Sequence, residues 1–245
     1  MPADVRRDPV TTAKRLVRRA GAVVGTLTSI RTSAGCVALT YDDGPEPGGT
    51  DAVLEVLAER GVHATFFVLV SRARRYPALL DEVVAAGHEI ALHGLDHRRL
   101  STLGYREAHR RTADGRAELE DRTGRPVAWM RPPYGAQSPA TWAAVRRAGL
   151  VPVLWDSSSF DWQDMAQDER LARAEGAVAR GSILLCHDGH ADERDGVDDG
   201  PAPAVDRADL ARRLLDLFAE QGWSAGTLSA AAASGRAVKQ ASFRR

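Results

Sequence analysis

The stretch CVALTYDDGPEPGGT (36–50) joins an apolar run to two adjacent carboxylates and a turn rich in Gly and Pro. The apolar residues 37–41 predict a buried strand, and the Gly and Pro residues predict that it ends there. Adjacent like charges repel, so a strand end that needed only polarity would be served as well by Asn or Ser as by Asp42 and Asp43. Two carboxylates at this position therefore favour a metal site with a general base.

Outward from this stretch, short apolar runs alternate with helical patterns. The predicted strands are 37–41, 64–69, a short one leading to His93, 128–130, 151–155 and 182–186. The predicted helices are 51–61, 76–87, 104–122, 138–149, about 168–180 and 206–221. This alternation predicts an α/β fold with a parallel sheet, and roughly seven units fit a (β/α) barrel better than an open sheet. No nucleotide-binding glycine motif follows the first strand.

Composition narrows the class of protein. The chain has 245 residues and a formal net charge of zero, so it can form one large domain and gives no reason to expect a nucleic-acid partner. No segment is long enough to span a bilayer, so no integral membrane span is predicted. Cys36 and Cys186 are too few for a disulfide framework, and we interpret both as small buried residues.

The N-terminal segment 1–35 is basic and carries a weakly apolar stretch at 20–30, which outlines an export signal or a surface helix. The apolar part is short and diluted by Gly, Thr and Ser, and Arg31 interrupts the expected cleavage region. We therefore expect one catalytic domain over 36–228 and a C-terminal tail over 229–245. A cytoplasmic location is favoured over the cell envelope or secretion.

Reactive residues collect where the predicted strands end. They are Asp42 and Asp43, His93 and His97, Arg131, Asp161 and Trp162, and His187 and Asp188. The C-terminal ends of barrel strands meet on one face, which is where the active sites of such folds lie. Polar clusters at five separate strand ends therefore predict an active site rather than a solvated edge.

His93 and His97 stand at i and i+4 in HGLDH, one helical turn apart, so both imidazoles can face one cation. With a carboxylate from another strand end they make an open, His-rich site of the catalytic zinc kind. Two His and one carboxylate also suit Fe(II), so the ligand types leave the metal open.

TYDDGPEPGGT, HGLDH, RPPYG, DSSSFDW and ILLCHD, in this order and spacing, resemble the five motifs of the NodB-type polysaccharide deacetylases (carbohydrate esterase family 4). The resemblance covers about residues 36–228. It implies a distorted (β/α) barrel of seven strands. It also implies metal-dependent N-deacetylation of N-acetylglucosamine-type sugars in a chitooligosaccharide, peptidoglycan or related glycan. Zn2+ is the favoured cofactor, while Co2+, Mn2+, Fe2+ and Ni2+ stay open.

The resemblance also implies roles for individual residues. The implied metal ligands are Asp43, His93 and His97. Asp42 would be the general base that takes a proton from the attacking water, and Arg131 would keep it ionised and oriented. The backbone N–H of Tyr134 would help to bind the oxyanion of the tetrahedral intermediate.

On the leaving-group side, His187 would be the general acid that protonates the departing amine, with Asp161 holding its ring and raising its pKa. Leu185 and Trp162 would line the pocket for the acetyl methyl group. One residue departs from the family pattern: Gly94 stands where Ser or Thr is usual. The lost hydroxyl removes a hydrogen bond from the loop, worth about 1 kcal/mol, but no metal ligand.

Two other functions stay open. The weak export signal leaves a small intracellular acetylated sugar or amide as an alternative substrate, and a catalytically silent glycan-binding relative is a second alternative. The acidic stretch 190–200 is interpreted as a solvated loop. The oligomeric state and the chain length of the substrate are left open.

Overall fold

A sheet of parallel strands forms the centre of the computed structural model, which describes residues 25–243. The strands are β1 (Thr26–Arg31), β2 (Cys36–Asp42), β3 (Thr65–Leu69), β4 (Glu89–Gly94), β5 (Trp129–Met130), β6 (Val151–Pro152), β7 (Ser157–Ser158), β8 (Ile183–His187), β9 (Ser224–Gly226) and β10 (Arg236–Gln240). The helices are α1 (Thr50–Glu59), α2 (Val70–Arg75), α3 (Pro77–Ala85), α4 (Tyr105–Thr123), α5 (Pro139–Arg147), α6 (Gln167–Ala177), α7 (Arg207–Glu220) and α8 (Leu228–Ala233).

The sheet runs in the order β6-β5-β4-β3-β2-β8-β7, and every neighbouring pair is parallel. β9 adds in parallel to the first half of β2. Parallel neighbours joined through helices are the arrangement of a (β/α) barrel, so the predicted seven-stranded barrel is confirmed. The barrel is distorted because β5, β6 and β7 have two residues each.

An antiparallel pair, β1 with β10, spans the gap between the two ends of this sheet. Leu27 in β1 bridges to Val153 beyond β6, and Ser29 bridges to Ser182 before β8. Leu27 and Ile30 are buried against the inner face of the barrel. These strands lie in segments 1–35 and 229–245, outside the predicted domain. The sequence pattern of β1 is weak because this strand needs only two apolar side chains to close the barrel. Residues 20–24 of the proposed export signal lie outside the described residues.

The helices cover the outer face of the sheet, and α7 shows why these segments are helical. Its buried apolar residues recur at helical spacing and are Leu210, Leu214, Leu217 and Phe218. The side chain of Asp206 caps the helix by accepting a hydrogen bond from the backbone N–H of Asp209 over 2.9 Å. Within residues 25–243, no helix combines the length and the apolar character that crossing a membrane requires.

β6 and α2 are among the elements that differ from the sequence prediction. The predicted strand 151–155 is a strand only at Val151–Pro152. The N–H of Leu154 donates to the carbonyl of Leu27 over 2.8 Å, so the backbone pairing changes from β5 to β1 at this point. Helix α2 was not predicted, because it follows β3 directly and no Gly or Pro marks its start.

Both cysteines are free thiols. Cys36 begins β2, whereas Cys186 lies near the end of β8 opposite Tyr41, so the two are at opposite ends of the barrel. Cys186 is buried, as predicted. Cys36 is only half-buried, because β2 begins near the surface, where its Sγ lies 3.1 Å from Oγ of Ser234.

Candidate active site

The C-terminal ends of the barrel strands surround one cavity of about 370 Å³. The predicted site residues that line it are Asp42, Asp43, His93, His97, Tyr134, Asp161, Trp162, Leu185 and His187. Arg131 is fully buried and contacts Asp42. The predicted site residues therefore meet at one end of the barrel.

Asp43, His93 and His97 form a buried cluster of one carboxylate and two imidazoles. Oδ1 of Asp43 lies 3.2 Å from Nε2 of His93 and 3.2 Å from Nε2 of His97. The predicted helical turn through HGLDH is wrong. His93 lies in β4, which continues to Gly94 by pairing with β3, and His97 follows in a bend. The two rings meet because the chain turns after the strand.

The two adjacent carboxylates at the end of β2 contact different partners. Asp42 is the last residue of the extended strand, whereas Asp43 has a φ of 77°, a left-handed conformation that Asp adopts more readily than most residues. The next residue must be Gly, because a Cβ on Gly44 would lie 1.9 Å from Oδ2 of Asp188. The turn that follows β2 thus directs Asp43 towards the imidazoles.

The Asp43 carboxylate and the His97 imidazole stabilise each other's charged forms. Burial raises the pKa of Asp43, but His97 and His93 outweigh this and hold it well below its usual value. Burial lowers the pKa of His97, but Asp43 and Asp199 outweigh this and raise it to about 10. Oδ1 of Asp43 is buried without a hydrogen-bond partner among residues 25–243. Two imidazole nitrogens around one carboxylate oxygen fit the donor set of a divalent transition metal.

Asp42 is paired with a fully buried arginine. Nη1 of Arg131 donates to Oδ1 of Asp42 over 2.7 Å and to Oγ1 of Thr40 over 2.9 Å. The guanidinium lies 4.1 Å from the centre of the Phe67 ring. Burial lowers the pKa of Arg131, and Asp42 acts against that change. The pair fixes one carboxylate oxygen of Asp42 and leaves the other for the cavity.

His187 is held by a buried carboxylate on the other side of β2. Its Nδ1 lies 2.7 Å from Oδ1 of Asp161, and its backbone N–H donates to Oδ2 of Asp161 over 2.6 Å. Burial lowers the pKa of His187, but Asp161 outweighs this and raises it to about 9. Asp161 follows β7, not the predicted strand 151–155. Trp162 is 42% exposed, with its ring centre 5.8 Å from that of His187.

The family model described as "Polysaccharide deacetylase" matches residues 29–153. The chain belongs to the polysaccharide deacetylase family. It is 39% identical over 161 residues to a chitooligosaccharide deacetylase of Sinorhizobium fredii, an alignment that covers 64% of this chain and 74% of that protein. It is 32% identical over 163 residues to a peptidoglycan-N-acetylmuramic acid deacetylase of Bacillus subtilis, which covers 66% of this chain and 34% of that protein.

Solved structures have the same fold. A family 4 carbohydrate esterase from Streptomyces lividans in complex with acetate has a TM-score of 0.70 at 28% identity, covering 86% of this chain and 100% of that chain. A pseudoenzyme of the same esterase family from Bacillus anthracis has a TM-score of 0.74 at 19% identity, covering 91% of this chain and 74% of that chain. The polysaccharide deacetylase fold thus occurs both with and without activity.

Asp199 is a residue of this polysaccharide deacetylase site that was not predicted. Asp199 lies on the loop after β8, and its Oδ2 is 3.2 Å from Nδ1 of His97. The hydroxyl of Tyr134 lies 2.7 Å from each oxygen of Asp199. Tyr134 itself has a φ of 59°, and the Arg99 guanidinium lies 3.9 Å from the centre of its ring. Burial and then Asp199 raise the pKa of Tyr134.

Most of the acidic stretch 190–200 is exposed, as the prediction of a solvated loop requires, but one of its acids is buried. Asp195 is fully buried, and its carboxylate accepts hydrogen bonds from Nε of Arg72 over 2.8 Å and from Oγ of Ser71 over 2.7 Å. The loop is therefore fixed to the barrel at Asp195 and contacts the Asp43–His93–His97 cluster through Asp199. Its position directly after the β8 strand end was the signal that could have identified it.

Gly94 is explained by the bend between the two histidines. A Cβ at this position would lie 2.6 Å from the backbone oxygen of Asp96, which is closer than real Cβ contacts come. The Ser or Thr that the family usually has here therefore requires a different path for the loop. In this polysaccharide deacetylase the carbonyl of Asp96 occupies the space of that side chain.

Proposed function

We propose that this protein is a metal-dependent N-deacetylase that hydrolyses the acetamido group of N-acetylglucosamine-type sugars in a glycan. The observation that carries the proposal is the placement of three groups around one cavity. These are the Asp43–His93–His97 cluster, a carboxylate held by Arg131, and an imidazole held by Asp161. A relative that had lost its activity would not be expected to retain all three groups. The substrates named for the relatives support the same chemistry.

Asp43, His93 and His97 would hold the divalent cation, and Zn2+ is favoured because the cluster is His-rich and buried. The cation would act as a Lewis acid that polarises the amide carbonyl and makes a water molecule more acidic. The remaining steps belong to the protein's own side chains.

Asp42 would be the general base. One of its oxygens accepts the hydrogen bond from Arg131, and the other lies 3.9 Å from Nδ1 of His93 at the edge of the metal cluster. From there it can take a proton from the attacking water while the water oxygen bonds to the carbonyl carbon. Arg131 fixes the orientation of the carboxylate through this hydrogen bond.

His187 would be the general acid. Since Asp161 occupies Nδ1, Nε2 is the nitrogen that can deliver a proton. Protonation of the amide nitrogen lets the C–N bond break, which releases acetate and a free amine. The backbone N–H of Tyr134 would stabilise the oxyanion, and Leu185 and Trp162 would form the wall for the acetyl methyl group.

Acetate release tests this proposal. Purified protein reconstituted with Zn2+ or Co2+ should release acetate from chitooligosaccharides or peptidoglycan fragments, and removal of the metal with a chelator should stop the reaction. A panel with small acetylated sugars should show the preference for polymers. Preference for a monosaccharide would displace the glycan substrate, and bound metal without turnover on any substrate would favour a silent glycan-binding protein.

The pH profile tests the two acid–base groups. Turnover needs Asp42 ionised and His187 charged, so the rate should follow a bell with its alkaline limb near pH 9, the pKa of His187. In Asp161→Asn, burial acts on His187 without the opposing carboxylate, so the alkaline limb should move to lower pH. The acid limb should stay nearly in place, because Asp42 is paired with Arg131 and not with Asp161.

The matched control for this profile is Asp164→Asn, which makes the same change at an exposed position of the same loop. It should leave both limbs unchanged. Stability follows the same titration: the folded pKa lies above the unperturbed value of about 6.5, so the stabilisation from the pair is lost as pH rises through 9. An alkaline limb that does not move in Asp161→Asn would show that His187 is not the titrating group.

A further inference from the structure

We propose that Asp199 is a positioning residue that orients His97 for metal binding. It is a carboxylate outside the five sequence motifs, carried on the loop between β8 and α7. The inference rests on the proposed metal site, and it adds a residue that neither the ligand set nor the acid–base pairs contain.

The geometry around His97 is the first argument. Nε2 of His97 faces Asp43, so Nδ1 is the nitrogen left for an outer partner. Nδ1 is buried and makes no well-aligned hydrogen bond within residues 25–243, while Oδ2 of Asp199 lies 3.2 Å away. The Asp199 carboxylate is therefore within reach of this nitrogen. A carboxylate at Nδ1 keeps the proton on that nitrogen, which leaves the lone pair of Nε2 for a cation.

The second argument is that Asp199 is itself held in place. The Tyr134 hydroxyl contacts both of its oxygens at 2.7 Å, and the Tyr134 ring packs against His97 with ring centres 4.4 Å apart. The Arg99 guanidinium also contacts Tyr134 and lies 3.9 Å from the centre of its ring. The three side chains Asp199, Tyr134 and His97 thus contact one another in a closed triangle.

The third argument is the anchoring of the loop. Asp195 binds Arg72 and Ser71 in the barrel wall, and its backbone oxygen accepts from the N–H of His97 over 2.9 Å. The same loop therefore contacts His97 twice, once through its backbone and once through Asp199. Among residues 25–243, Nδ1 of His93 has no such partner, and its carboxylate contact is Asp42 at 3.9 Å. The support is specific to one of the two imidazoles.

Zinc affinity tests the proposal. Removing an outer carboxylate partner of a metal-binding His costs 10–100-fold in affinity, and the 28% exposure of the Asp199 side chain places the expected loss near the lower end, about tenfold. Asp199→Asn should therefore need about tenfold more Zn2+ for half-saturation of the apoprotein, measured by competition with a chromophoric chelator. Tyr134→Phe keeps the ring but releases Asp199, so it should weaken Zn2+ binding in the same direction by less.

Asp198→Asn is the matched control, because it neutralises the neighbouring acid, whose side chain within residues 25–243 accepts a hydrogen bond only from the N–H of Gly200. It should bind Zn2+ as the unchanged protein does. The visible spectrum of the Co2+-loaded protein separates positioning from general weakening: it should change in Asp199→Asn and not in Asp198→Asn. Equal Zn2+ affinities and spectra in these two variants would show that Asp199 does not position His97, and would leave the proposed function standing. Failure of the unchanged protein to bind either metal would overturn the proposed function with it.

Discussion

Replacing Asp42 with Asn should reduce kcat by about 10²–10⁴-fold, the contribution of a positioned general base. Asn has the same shape and can still accept the hydrogen bond from Arg131, but its amide cannot take up a proton at neutral pH. The three side chains of the metal cluster are unchanged, so the variant should bind metal. Steady-state acetate release and the metal content of the same preparation measure both quantities.

Asp156→Asn is the control for this change. Asp156 also lies beyond a barrel strand, where its Oδ1 accepts from the N–H of Ile183 over 2.9 Å, but it does not line the cavity. Turnover should be nearly unchanged in this variant. Wild-type turnover in Asp42→Asn would show that another group is the base. Loss of metal together with turnover would show that Asp42 belongs to the ligand set.

Arg131→Met should lower the free energy of unfolding by about 3–5 kcal/mol, because it leaves the buried carboxylate of Asp42 without its countercharge. Asp42 is 2% exposed and Arg131 is 0% exposed, so water cannot replace the lost contact. Turnover should fall as well, since the base loses the group that orients it. Urea unfolding of the metal-free protein measures the stability without a contribution from bound cation.

Arg74→Met is the matched control. It removes the ion pair with Glu118, in which the arginine side chain is 58% exposed, so the expected loss is below about 1 kcal/mol. The double variant Arg131→Met with Asp42→Asn should recover part of the stability lost in Arg131→Met, because the unpaired charge is gone. If Arg131→Met lowers the free energy of unfolding by less than 1 kcal/mol, the buried Asp42 carboxylate does not depend on Arg131 for its countercharge.

The parts of the fold that follow from local sequence pattern were predictable. Strand β2 and helix α7 have continuous apolar residues or apolar residues at helical spacing, and both were located within a few residues. The short strand β5 was located as well, but the end of β6 and the whole of β7 were not, because long-range pairing decides them. Beyond β6, for example, Leu154 bonds to Leu27. The residues of β1 and β10 show almost no apolar periodicity from which a strand could be predicted.

The candidate site divides in the same way. Residues at strand ends, such as Asp43 and His187, could be located because the barrel brings all such ends together. The contact between His93 and His97 was predicted for the wrong reason, since i and i+4 spacing suggested a helix where the chain forms a strand and a bend. Asp199 was missed, because its place after β8 indicates only that the loop lies near the site, whereas the path of the loop depends on contacts such as Asp195 with Arg72.

The β1–β10 pair has a consequence for how the protein is made. The Thr28 hydroxyl donates to the carbonyl of Val238 across 210 positions of sequence, so the pair cannot form until the residues of β10 have been synthesised. At about 5–20 residues per second, the apolar side chains of β1 wait roughly 10–40 s for their partner strand. Until then Leu27 and Ile30 have no closed barrel to cover them. A nascent chain is therefore exposed to wrong association at these side chains until β10 has emerged.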